Sequence, residues 1–177
     1  MKKLLLPTLL FLGLSGCATG MAPPLPQLTA HDAIEAEYAP YLKTGTATLS
    51  GRAFLTQPGR GVVKAAGRDV TLDPATSVGN GWWSRTGKVW VHRSQAPSGL
   101  FARTRRTTLA DADGRFMFSD LPPGKYYIRT EVTWEIDGYY STTDGGLVGQ
   151  LVSIGDGQSK EVILNRYLDE NSKEEQE

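Results

Sequence analysis

Few side chains in this sequence could act on a substrate. The imidazoles are His31 and His92, and the one thiol is Cys17. There is no G-x-S-x-G elbow, no H-E-x-x-H and no Walker-type glycine loop. Without a base and nucleophile set, a non-enzymatic protein is expected, with no catalytic residue and no cofactor. Asp111-x-Asp113-Gly114 begins like a calcium loop, but the further oxygen ligands and distal Glu do not follow. It reads as a turn, and no metal site is expected. Asp144-Gly145-Gly146 reads as a loop before a strand.

Binding chemistry is concentrated in 75–106. This segment holds Trp82, Trp83, Trp90, Arg85, Lys88, His92, Arg93, Arg103, Arg105 and Arg106, and no acidic residue lies between Asp73 and Asp111. Aromatic faces and arginine forks suit phosphate, carboxylate and sugar. One reading makes the segment a surface for an anionic glycan, a lipid headgroup or an envelope protein. The other makes 88–92 a strand, sends the tryptophans into the core and leaves the arginines on a solvated edge, where they discourage strand aggregation or pair with Glu131, Glu135 and Asp137. Tryptophans usually end up mostly buried, which favours the second reading. If the protein binds anything, the expected surface is Trp82, Trp83, Trp90, Arg93, Arg103, Arg105 and Arg106. Tyr139-Tyr140 reads as a partly buried loop anchor, the alternative being a sugar-stacking platform formed with the tryptophans.

The elements that must position these residues centre on 107–134. Asp111-Ala112-Asp113-Gly114 is turn chemistry between two short strands, a hairpin signal. Phe116 and Phe118 share one face. Leu121-Pro122-Pro123-Gly124 ends the strand, because proline offers no N–H to a ladder. Tyr126, Ile128, Thr130, Val132 and Trp134 then face one way, and Tyr127, Arg129, Glu131, Thr133 and Glu135 the other. Phe116, Phe118, Tyr126, Ile128 and Val132 are the expected core. Ala47, Leu49, Gly51, Ala53 and Leu55 give a first strand its inner face. Val62-Val63, Val70-Thr71-Leu72 and 147–154 supply further strands, and 161–164, after the Gly155-Asp156-Gly157 turn, closes the sheet.

The run Thr108, Asp111, Ala112, Asp113, Gly114, Arg115, Phe116, Phe118, Leu121, Pro122, Pro123, Gly124 and Tyr126 resembles the carboxypeptidase regulatory-like domain. The resemblance implies an all-β, transthyretin-like antiparallel β-sandwich over 44–168, in which 75–106 is an insertion, and it implies no peptidase chemistry. The hydroxyisourate hydrolases of the same fold end in Tyr-Arg-Gly-Ser, which Asn165-Arg166-Tyr167-Leu168 does not match.

The N-terminus carries an address. Met1-Lys2-Lys3, an apolar run over 4–14 and small residues read as a signal peptide over 1–16, too short to span a bilayer. Leu14-Ser15-Gly16-Cys17 resembles the bacterial lipobox, which implies lipid on Cys17 and membrane attachment. Ala18 leans the sorting towards the periplasmic face of the outer membrane. Pro23, Pro24 and Pro26 make 17–28 a tether. A short helix is expected over 29–43, packed on the sandwich, and 169–177 reads as a disordered charged tail.

The 177 residues carry 19 basic and 19 acidic groups. Loss of Lys2 and Lys3 leaves a charge of −2, which excludes a generally basic nucleic-acid binder. A lone cysteine leaves no disulfide within the chain. The same location admits a docking lipoprotein of a secretion or pilus machine, or a carbohydrate-binding accessory protein.

Overall fold

The computed structural model describes residues 30–57, 59, 61–86, 99–136 and 142–168. Two antiparallel-type sheets pack face to face. The first has the order β2-β1-β5, with β8 also on β1; the second has the order β4-β3-β6-β7. The strands are β1 (Ala47–Gln57), β2 (Gly61–Lys64), β3 (Asp69–Pro74), β4 (Arg106–Leu109), β5 (Arg115–Leu121), β6 (Gly124–Ile136), β7 (Thr142–Ile154) and β8 (Ser159–Leu164).

The period-two pattern decides which side chains meet between the sheets. Ala47, Leu49, Ala53 and Leu55 of β1 and Phe116 and Phe118 of β5 face Val70 and Leu72 of β3 and Tyr126, Ile128 and Val132 of β6 in one apolar cluster. All five expected core residues of 107–134 are within it. Gly51 continues the β1 face without a side chain, because a Cβ there would meet the Phe116 ring and the Val162 carbonyl.

The connections differ from the expected ones. Strands β4 and β5 are not a hairpin: β4 pairs with β3 and β5 with β1, in different sheets. The turn chemistry is nonetheless as the sequence implies. Asp111 Oδ1 accepts from the Asp113 and Arg115 N–H groups, and Gly114 has φ 71°. The ladder bonds explain the crossing. Ala110 N–H donates to Arg68 and extends the second sheet, while Ala53 N–H donates to Gly114 and extends the first. The four-residue turn therefore spans the sandwich edge. The Pro122-Pro123 corner crosses back the same way. Strand β8 pairs in parallel with β1 and not with β7 before it.

A helical layer covers the outer face of the second sheet. It comprises α1 (Ala30–Tyr38), a 3-10 turn (Ala39–Leu42), α2 (Ser77–Thr86) and α3 (Leu100–Thr104). Tyr38, Trp82 and Phe101 form a second buried cluster there, with Ile34, Val78, Trp83 and Leu100 around it. The N-terminal helix thus packs chiefly on the other helices. Its continuation reaches the sandwich through Tyr41, whose ring meets Tyr126 edge to face at 5.2 Å. Gly124 makes room for that ring, since a Cβ would fall 2.6 Å from it.

Candidate functional site

The site begins with the outward residues of two neighbouring strands. Val70 and Leu72 point inward on β3, so Thr71 and Asp73 point outward. Tyr126 and Ile128 point inward on β6, so Tyr127 and Arg129 point outward. The register sets Thr71 opposite Arg129 and Asp73 opposite Tyr127. Helix α2 is brought over these four by its start. Thr76 Oγ1 accepts from Gly79 N–H, an N-cap, and Glu37 Oε2 of α1 accepts from Ser77 N–H at 2.6 Å.

Under α2, Asp73 is 1% exposed and is held bidentately by Arg105, with Nε to Oδ1 at 2.6 Å and Nη2 to Oδ2 at 2.7 Å. The Arg105 guanidinium also lies 4.9 Å from the Trp82 ring centroid and 5.0 Å from that of Phe101. Arg129 lies over the Trp82 ring at 4.1 Å, with Nε 3.4 Å from Thr71 Oγ1. Burial brings the Arg129 pKa down to about 10; the Arg105 charge acts in the same direction and Asp73 opposes. One residue along α2, Trp83 stacks on Tyr127 with centroids 4.4 Å apart and planes at 18°. The Tyr127 hydroxyl donates to Asn80 Oδ1 at 2.9 Å. Trp83 and Tyr127 are half-buried and Asn80 is exposed.

The residues singled out from sequence are therefore divided. Trp82, 4% exposed, is a packing residue of the second cluster. Arg105 is engaged by Asp73, because the β3–β4 register carries it to the outward carboxylate of β3, and Asp137 lies outside the described residues. Arg103 is exposed on α3. Arg106 is half-buried on the inner face of β4, opposite Leu72. It is near enough to Tyr126 to oppose the rise that burial imposes on that phenol. Trp83 is at the rim. Trp90, Arg93, Lys88, His92, Tyr139-Tyr140 and Cys17 lie outside the described residues. Tyr127, Asn80, Arg129 and Asp73 were not singled out. Tyr127 and Arg129 carried a signal, as large side chains on the outward face of a long strand.

Two other features lie apart from this layer. His31 faces Glu35 at 3.3 Å on the exposed side of α1. A concavity of about 530 Å³ on the outer face of the first sheet is lined by Arg52, Arg115, Met117, Leu109 and Glu161 among others. Among the described residues no three His, Cys, Asp or Glu side chains converge as metal ligands, and no helix is long and apolar enough to cross a membrane.

No family model matches the chain, and no curated protein matches it. Solved structures do. The major pilin subunit BcpA of Bacillus cereus is 16% identical, over 68% of this chain and 30% of that one, with a TM-score of 0.41. The minor pilin GBS52 of Streptococcus agalactiae is 15% identical, over 70% and 44%, with a TM-score of 0.35. Likenesses that slight say nothing of function. The crystal structure of PA1324 of Pseudomonas aeruginosa, described as a candidate carbohydrate-binding protein, is 30% identical with a TM-score of 0.63. The match covers 81% of this chain and 100% of PA1324. With the whole of that relative matched at that identity, the chain belongs to the same protein family as PA1324.

Proposed function

We propose that this protein is a lipid-anchored, non-catalytic binding module of the cell envelope that holds glycan against Trp83, Tyr127 and Asn80. The observation that carries the proposal is the ring stack on the outer face of β6, 4.4 Å between centroids, with an amide fixed beside it by the Tyr127 hydroxyl. Aromatic faces take the apolar C–H side of a sugar, and an amide reads its hydroxyls. The description of PA1324 supports the ligand class. The run from Thr108 to Tyr126 supports a regulatory-like module, and the sequence lacks a base and nucleophile set. The lipobox-like Leu14-Ser15-Gly16-Cys17 supports lipid on Cys17, and Ala18 supports a place on the periplasmic face of the outer membrane. The tether over 17–28 would hold the sandwich off the membrane.

The test is calorimetric titration of the full chain, in detergent, with envelope polysaccharide fragments. Trp83→Ala and Asn80→Ala should each weaken binding at least tenfold without changing its stoichiometry. Wild-type affinity in both would overturn the site. In the same cells, Cys17→Ser should move the protein out of the membrane fraction; full retention of that variant would overturn the anchor.

A further inference from the structure

Among the described residues, the layer between the second sheet and helices α2 and α3 holds the guanidinium groups of Arg105 and Arg129 and the carboxylate of Asp73. Both Asp73 oxygens are committed to Arg105. Among the described residues no carboxylate forms an ion pair with Arg129. Its contacts are the Thr71 hydroxyl on Nε and the Trp82 face. Guanidinium groups withdrawn from water are ordinarily paired. The Trp82 ring offsets part of the cost but accepts nothing in the plane of the fork, where the Nη donors point. Tyr127, on which Trp83 stacks, is two residues back on the same face of β6.

We propose that Arg129 is the specificity residue of this surface, taking the carboxylate of an acidic sugar whose ring lies on the Trp83–Tyr127 stack. The proposal rests on the glycan reading above and narrows its ligand to polysaccharides containing uronic acids. A planar carboxylate matches the fork in geometry and the single uncompensated charge in magnitude. Arg105 serves by occupying Asp73, which would otherwise neutralise Arg129 from within.

The experiment compares an oligogalacturonate with its methyl ester, which has the same skeleton and no charge, by calorimetry on the full chain. The wild type should bind the acid at least tenfold more tightly, and added salt should reduce that preference. Arg129→Met should bind the two alike, at the affinity the wild type shows for the ester, with no loss of melting temperature. Arg129→Lys, which keeps the charge and loses the fork, should fall between them and keeps the test decisive if the Met variant folds poorly. Equal binding of acid and ester by the wild type, or a full preference surviving in both variants, overturns the assignment and leaves the glycan reading standing. A chain that takes neither compound, nor any polysaccharide in the titrations above, overturns both.

Discussion

The protein has two interiors built on opposite principles. Between the sheets lie Leu49, Leu72, Phe116, Phe118, Ile128, Val132 and their neighbours, with the Thr130 hydroxyl buried among them and donating to the Asp69 carbonyl. On the far side of the second sheet, Tyr38, Trp82 and Phe101 enclose Asp73 and Arg105, and Arg129 lies against Trp82. The same strands supply both, since alternate residues of β3 and β6 point each way. The first interior needs only area and shape, so its stability follows from packing. The second depends on the buried Asp73 charge being answered by Arg105, so its stability rests on that pair staying complete. Arrangements of the second kind are the ones that can discriminate a ligand, because a polar group already out of water gains most from a matching partner.

Two substitutions break this contrast most directly. Phe118→Ala empties a site in the sheet interface that is 5% exposed and lies beside Phe116 at 6.3 Å. It should lower unfolding free energy by about 4 kcal/mol, read from the urea midpoint. Asp73→Asn is nearly isosteric, yet it leaves Arg105 without its carboxylate beneath α2 and should cost about 3 kcal/mol. The sharper form is the double variant Asp73→Leu with Arg105→Met. If the second interior is charged only for specificity, that variant should recover most of the loss. A double variant as unstable as Asp73→Asn would mean that the ion pair orders the helical layer itself.

What was legible in the sequence follows the same division. The inner faces of β1, β5 and β6 could be read because alternation needs no knowledge of the partner strand. The pairing could not. Asp111 to Gly114 carries hairpin residues, but whether a chain leaving such a turn returns to its own sheet depends on contacts distant in sequence, here Ala110 with Arg68 and Gly114 with Ala53. Helix α2 was hidden by composition, since SVGNGWWSRT has two glycines and an asparagine in ten residues. Its start is fixed by Thr76 and by Glu37 from another helix, and its length by packing on Phe101 and Tyr127. For the same reason Arg129 looked like one more solvated residue on a polar strand face. Only the helical cover makes it unusual.

The smallest effect is expected where the same chemistry is left in water. At the turn between the sheets, Asp113 Oδ1 accepts from Lys64 Nζ and Oδ2 from Arg115 Nη1, both at 2.7 Å, a geometry as good as that of Asp73 with Arg105. The three side chains are 47–53% exposed, whereas Asp73 is 1% exposed. The Lys64 hydrogen bond and charge, then the Arg115 charge, hold the Asp113 carboxyl below its ordinary value of 3.8. A carboxyl depressed in the folded state contributes its full stabilisation above the unfolded value and loses it as pH falls through the folded one. The gap between wild type and Asp113→Asn should therefore be small at neutral pH, close on acidification and shrink in salt. Urea midpoints across that pH range at two ionic strengths measure it. A gap as wide as that of Asp73→Asn, unchanged by acid and by salt, would show that burial is not what separates the two pairs.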